Sequence, residues 1–316
     1  MIRPPPVHCG RVTPMQPLPR EFTQTLLALC GPAGQAWLDD LPVLLRAYEQ
    51  RWSLRVGPPF ASLSYHYVAP ATRSDGTEVV LKAGVPNDEL TTEIEALRRF
   101  DGRGAARLLE ADAPAGVLLL ERIRPGGRLL DRADDEQATA AAAAVMQTLW
   151  RPAPEPGLFP SVADWGRGFE RLHRAFGGGT GPFPPALVDA GERLYADLTA
   201  SMGESVLLHG DLHHENILAD QQRGWLAIDP KGVIGEREYE PGALLRNPFP
   251  ALLTWPDAAR RLERRLDQLA ETLGFERQRL HAWALAQAVL SAWWAFEDGL
   301  RDLSPWLEVA RLLHAL

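Results

Sequence analysis

The stretch LLHGDLHHENIL, residues 207–218, limits the possible folds more than any other, because it sets a His, an Asp and an Asn in fixed phase between two short apolar runs. Apolar runs of this length bounded by Gly, His and Asp read as short strands. His209, Asp211 and Asn216 are therefore expected on a loop between two β segments. A further apolar run, WLAID, follows and ends in Asp229. One loop region then gathers two carboxylates and an amide, groups able to hold a proton or a hard cation.

The rest of the chain decides what surrounds that loop. At 316 residues it can bury a large core without staples, and 46% hydrophobic with 23% charged residues is ordinary for a globular protein. Its two cysteines, Cys9 and Cys30, form no disulfide framework, and the start lacks the apolar core of a signal peptide. No run approaches the ~18 apolar residues that cross a bilayer. The expectation is a cytoplasmic protein in a reducing compartment. A formal charge of −8 opposes the counterion-release attraction of nucleic-acid binders and suits a cationic small molecule instead.

Along the chain, residues 1–20 are proline-rich and aperiodic and read as a flexible segment, with a helix beginning near Glu21. From Leu54 the pattern is strand-like. LSYHYVAPA and TEVVLKA flank the turn-forming SDG and predict a hairpin. NDELTTEIEALRRFDG then places Leu90, Ile94 and Leu97 on one helical face, with Asn87 or Asp88 as N-cap and Gly102 past the end. GVLLLERI has strand length, and RPGG after it reads as a break. The remainder is mostly helical: DDEQATAAAAAVMQTLW, VADWGRGFERLHRAF, PPALVDAGERLYADLTASM, a helix capped by Asp257 and ended by Gly274, and a long helix closing on Gly299. Trp283, Trp293 and Trp294 on that last helix read as packing groups. The expected division is a small lobe over 21–121, a hinge at 122–127 and a helical lobe over 128–316 that carries the catalytic loop and the acceptor site.

Kinases use His-x-Asp, four further residues, Asn, and then a strand ending in a metal-binding Asp. His209, Asp211, Asn216 and Asp229 reproduce that spacing. A kinase also needs a Lys on the third small-lobe strand and a Glu on the next helix. Lys82 and Glu93 stand where those belong; Glu95, turned by about 200° around the helix, is the second choice for the pair. Two other readings use the same residues. In one, His209, Asp211, His213 and His214 are ligands of a zinc metallohydrolase. It leaves Lys82, Glu93 and Asn216 without a role. The other is a nucleotide-binding scaffold, which the complete catalytic set disfavours.

The segments LLLERIRPGG, LLHGDLHHENIL and WLAIDPKGVIGEREYEP, with GTEVVLKAGVP and FDGRGAARLLEAD, resemble the aminoglycoside phosphotransferase family of the protein-kinase-like fold, in particular its streptomycin 6-phosphotransferase and hydroxyurea phosphotransferase members. The likeness runs from about Leu54 to Arg246. It implies an α+β bilobal fold, with a small antiparallel-sheet N-lobe and a larger, mainly helical C-lobe. It further implies ATP (or GTP) and Mg²⁺, and transfer of the γ-phosphate to a hydroxyl of a streptomycin-like antibiotic, or alternatively of hydroxyurea or a metabolite. On the matching positions, Asp211 is the base, Asn216 and Asp229 hold metal, Lys82 holds phosphate, Glu93 is its partner, and the backbone from Leu120 through Glu121 to Ile123 meets the adenine. The sequence departs from the pattern twice. No G-x-G-x-x-G is present, so Gly57, Ser62 and Ser64 in GPPFASLSYHY are the phosphate-loop candidates. DPKG stands in place of Asp-Phe-Gly, and Pro230 stiffens the backbone there, which predicts a permanently formed site. Glu240, Glu297 and Asp298 are the carboxylates expected to hold a cationic acceptor.

Overall fold

The computed structural model describes residues 17–316, so the proline-rich segment lies, apart from 17–20, outside the described residues. Cys9 lies outside them too, and Cys30 carries a free thiol. Contacts divide the chain into two compact units, the first ending at Lys82 and the second running Ala83–Leu316.

The first unit opens with helix α1 (Arg20–Arg51), which is interrupted where Gly31 takes φ +52°. Glycine tolerates that conformation, and Pro32 after it has its φ preset for the resumed helix. Strands β1 (Leu54–Val56) and β2 (Tyr67–Arg73) pair antiparallel with Leu54 opposite Arg73. The bonds from Gly57 N to Pro70 O (2.8 Å) and from Phe60 N to Val68 O (2.9 Å) extend that pairing into the loop. β2 and β3 (Glu78–Ala83) are neighbours, as the turn chemistry predicted. Asp75 accepts from Thr77 N at 2.8 Å and Gly76 takes φ +87°.

The second unit begins with helix α2 (Asp88–Phe100), where the Asn87 side chain accepts from Leu90 N at 2.7 Å and fixes the cap. Strands β4 (Leu108–Asp112) and β5 (Val117–Glu121) form an antiparallel pair. RPGG, expected to be a break, is a short strand, β6 (Pro125–Arg128). Gly126 at φ +78° lies within its irregular register, so the pairing survives as a bulge.

Helix α3 (Asp135–Leu149) and the two-residue β7 (Arg151–Pro152) follow. The sequence read VADWGRGFERLHRAF as one helix, but it is two, α4 (Val162–Gly166) and α5 (Gly168–Ala175). A methyl at Gly166 would stand 2.5 Å from the Tyr195 ring, and one at Gly168 would meet Leu290, so the two glycines bring the broken helix close to its neighbours. Helix α6 (Pro185–Ala200) leads into β8 (Val206–Leu208), β9 (Ile217–Asp220), β10 (Gly224–Ala227) and β11 (Val233–Gly235). β8 pairs with β7 and β11, and β9 pairs with β6 and β10.

Helices α7 (Pro241–Leu245), α8 (Ala258–Leu273), α9 (Arg277–Glu297) and α10 (Ser304–His314) complete the unit, the first and last of them unread in the sequence. Asp257 stands at the N-cap of α8 without capping it, because its carboxylate pairs instead with Arg260 (3.1 Å) and Arg261 (2.9 Å). Gly274 ends that helix in the left-handed region, as predicted. α9 runs through the centre, packed by α5, α6, α7, α8 and α10. Trp283 and Trp293 are buried in that core, while Trp294 is only half-buried. No helix among the described residues is long and apolar enough to cross a membrane.

Candidate active site

The site is built on the turn after β8. His209 is fully buried and each of its polar atoms has a partner. Its N–H donates to Glu240 Oε2 at 2.7 Å, and its carbonyl oxygen accepts from Lys231 N (2.9 Å) and Gly232 N (3.2 Å). In the ring, Nε2 meets Ile228 O at 2.8 Å and Nδ1 accepts from Asp211 N at 3.2 Å. Those two contacts require the proton on Nε2, and burial lowers the imidazole to about 4, so the ring is neutral near pH 7. The histidine therefore ties β8, the Asp211 turn and the Ile228–Gly232 segment together.

Glu240 was expected to hold an acceptor, but its position is different. It is 1% exposed, and its two oxygens accept from the backbone N–H groups of His209 (2.7 Å) and Gly210 (2.9 Å). The carboxylate lies beneath the loop. Burial pushes it up to about 7 against the pull of those two N–H groups.

Asp211 is thus presented from a fully bonded base. Its Oδ1 accepts from Arg246 Nη2 at 3.0 Å, and Oδ2 lies 3.6 Å from His213 Nε2. Burial opposes its charge, but His213, Arg246 and Lys231 outweigh burial and hold the carboxyl well below the usual range. The second amine of Arg246 is steadied by Gln287 Oε1 at 3.1 Å. Arg246 was not singled out in the sequence, since 35 residues separate it from Asp211 and no motif joins them.

The two metal ligands expected from the sequence come together through β9 and β10. Ala227 faces Ile217 in the register, and one step further Ile228 N donates to Asn216 O at 2.9 Å. Asp229 follows directly, in the left-handed region at φ +58°, where a non-glycine residue is uncommon and costs energy. The Asn216 amide nitrogen donates to Asp211 O at 3.0 Å, which leaves Oδ1 as its available hard oxygen. An amide oxygen beside a carboxylate is a donor set that suits Mg²⁺.

Lys231, within the DPKG run, pairs with Glu89 of α2, and its carbonyl accepts from Thr92 Oγ1 at 2.7 Å. Burial works against its charge, but Glu89 and Asp211 outweigh burial and keep the ammonium above its ordinary range. Of the other predicted residues, Lys82 and Glu93 are buried, at 2% and 4% exposure. Ser62 and Ser64 are exposed, between β1 and β2. Glu121 accepts from Arg107 N at 2.7 Å and takes both amines of Arg223 at 2.9 Å. Ile123 is buried with Ala106 and Leu226, and Leu218 and Ile228 pack against them. Glu297 is bidentate to Arg171, at 2.7 and 2.9 Å, while Asp298 is exposed.

The zinc reading fails on this geometry. Both ring nitrogens of His209 are taken by the backbone, and His214 Nε2 faces the Arg265 guanidinium at 3.4 Å. Burial and that cation depress His214 to about 3. Among the described residues no group of three or more His, Cys, Asp or Glu side chains is placed to hold a metal ion.

The fold is the α+β protein-kinase-like one, and it is shared with amicoumacin kinase hAmiN solved with AMP-PNP, Ca²⁺ and Ami (TM-score 0.58, 15% identity, 89% of this chain and 93% of that one). The family the chain matches, and its curated relatives, are those of a small-molecule phosphotransferase. The chain matches the aminoglycoside/hydroxyurea antibiotic resistance kinase family over residues 51–299 and belongs to it. It is 37% identical over 301 residues to a hydroxyurea phosphotransferase of Kitasatospora aureofaciens, covering 92% of this chain and 83% of that protein. To a streptomycin 6-kinase of Streptomyces glaucescens it is 32% identical over 289 residues, covering 91% and 94%.

Proposed function

We propose that this enzyme moves the γ-phosphate of ATP to a hydroxyl of a streptomycin-like aminoglycoside and so inactivates the antibiotic. The observation that carries the reading is the Asp211 turn: a carboxylate held charged, on a base with every polar atom bonded, beside Asn216 and the residue preceding Asp229. Asp211 accepts a hydrogen bond from the acceptor hydroxyl and orients its oxygen toward the phosphorus. As the O–P bond forms and the bond to the ADP oxygen breaks, the hydroxyl proton passes to Asp211. Because the carboxyl is held so far down, it takes that proton late, and its larger contribution is alignment. Asn216 Oδ1 and Asp229 would hold Mg²⁺, which would supply neutralisation of phosphate charge.

Lys82 is assigned to the nucleotide phosphates with Glu93 as its partner, Ser62 and Ser64 to the covering loop, and the backbone of Glu121 to Ile123 to the adenine. In this reading 21–121 is the nucleotide lobe, 122–127 the hinge and 128–316 the lobe of the catalytic loop and acceptor.

The identity to the Kitasatospora protein supports a second reading, with hydroxyurea as acceptor. A panel of acceptors with ADP release as readout decides between them: streptomycin turns over fastest in the first reading and hydroxyurea in the second. Mg²⁺ with ATP at about 100 times its Kd adds about 2.7 kcal/mol to the folded state. Asp229→Ala removes the Mg²⁺ dependence of that shift, and Lys82→Ala weakens it; an unchanged shift in both places the phosphates elsewhere.

A further inference from the structure

The surface next to Asp211 is aromatic as well as charged. Gly210 takes φ +84°, and a methyl there would stand 2.8 Å from the Trp165 ring and 3.4 Å from Lys231 Cβ. Trp165 therefore lies directly against the backbone that presents Asp211. The indole also meets Tyr239, with ring centres 6.0 Å apart, and Trp294, edge-on at 5.7 Å and 81°. Trp294 in turn stands one helical turn before Asp298, whose N–H donates to the Trp294 carbonyl at 2.9 Å.

These groups differ from their neighbours in the same region. Trp283 and Trp293 are 0% and 3% exposed, whereas Trp165 and Trp294 are half-buried. Glu89 is paired with Lys231 and Glu297 with Arg171. Asp298 makes no ion pair among the described residues, although it lies within electrostatic reach of Glu89, Glu297 and Lys231. From the turn that presents Asp211, contacts thus run through Trp165 to Trp294, and one turn beyond that to a carboxylate with no ion pair among the described residues.

We propose that Trp165, Trp294 and Asp298 form the acceptor seat, in which a guanidinium or ammonium group of the acceptor packs on the indoles and pairs with Asp298 while its hydroxyl reaches Asp211. The proposal rests on the phosphotransferase reading of Asp211. It deepens that reading by naming the residues that select the acceptor. Indole is the strongest aromatic partner for a cation, and a carboxylate adds a charge-assisted hydrogen bond. A neutral molecule as small as hydroxyurea gains neither. The structure also narrows the earlier set of carboxylates, because Glu240 and Glu297 already have partners and Asp298 forms no ion pair among the described residues.

The test is calorimetric binding of streptomycin to the full chain, with steady-state kinetics alongside. Asp298→Asn is expected to weaken streptomycin binding and raise its KM about tenfold, and Trp294→Leu several-fold, with the KM for ATP unchanged in both. If Trp294→Leu does not fold, Trp165→Phe and Asp298→Asn carry the test, since neither deletes a core side chain. Absence of streptomycin binding to the wild type, a preference for hydroxyurea, or unchanged affinity in these variants overturns the seat. Tight, Asp298-dependent binding without phosphorylation leaves the seat standing and breaks the phosphotransferase reading instead.

Discussion

His209 and Gly210 direct both backbone N–H groups onto one buried carboxylate, whereas at the end of α9 Asp298 has no ion-pair partner among the described residues and the indole a turn before it is half-buried. The base under Asp211 is closed: carboxylate, backbone and imidazole satisfy one another, and a change in any of them leaves a buried group unbonded. Beside Trp294 the surface is open, and a change there alters what a ligand meets more than what the chain holds together. The two regions should therefore fail differently, the first in turnover and stability, the second in affinity.

The largest separation is expected at Asp211 itself. Asp211→Asn should lower kcat by about 10² to 10⁴ with the fold and the ATP-induced shift retained. Steady-state kinetics with thermal melts check it, and survival of more than about a tenth of the activity removes the carboxylate from the reaction.

Next comes Glu240. An amide at this position has one acceptor oxygen for two N–H donors, so Glu240→Gln should cost about 1 to 3 kcal/mol. Turnover should fall with the KM for ATP held. A variant with normal stability and a raised acceptor KM would move Glu240 from the base to the acceptor surface and erase the distinction.

The pH dependence of stability sharpens the same contrast, since two of its contributors, His209 and Glu240, lie in the base. His209, at about 4, and His214, at about 3, both bind protons less tightly folded than unfolded, where histidine sits near 6.5. Their stabilising contribution is full above that unfolded value and is lost as pH falls through the folded ones. Glu240, raised to about 7, works the other way: its contribution is full below its unfolded value near 4.5 and is lost as pH rises through 7. Between about 4.5 and 6.5 the unfolded chain holds two protons on the histidines and the folded chain one on Glu240. Stability from these three groups should rise with pH by about one proton, roughly 1.4 kcal/mol per unit. Urea unfolding of His214→Leu should show that slope flattened across the window; an unaltered slope would mean His214 is not held neutral.

The smallest effect is expected at the Arg171–Glu297 pair. Both side chains are partly exposed, and such pairs near the surface contribute about 0 to 1 kcal/mol. Glu297→Gln should leave the melting temperature and the streptomycin KM nearly unchanged. A several-fold rise in that KM would extend the open surface beyond Trp294 and Asp298.

What could be read from the sequence follows the same line. The His209–Asp211–Asn216–Asp229 spacing was legible because strand, turn and strand are contiguous, and the phase of such a motif is set by local geometry. The cap at Asn87, the hairpin around Asp75 and the core tryptophans of α9 were legible for the same reason: each depends on neighbours a few positions away. Arg246, Glu240 and Trp165 were not, because their roles depend on where distant elements pack. Glu236, Glu238 and Glu240 look alike as a run of acidic residues. Only the folded chain shows that Glu236 takes Arg279 and Trp283 while Glu240 takes the His209 turn. Asp257 was misread for a related reason, since two arginines one turn on offered its carboxylate a better partner than the helix end did.

The bond from Ile228 N to Asn216 O has a consequence for how the site can be watched. It joins the residue beside Asp229 to the backbone of Asn216, so neither can drift without breaking it. The deuterium uptake of that single amide therefore times the opening of the whole β9–β10 ribbon. It is the position where tightening by bound nucleotide would register first in hydrogen-exchange spectra.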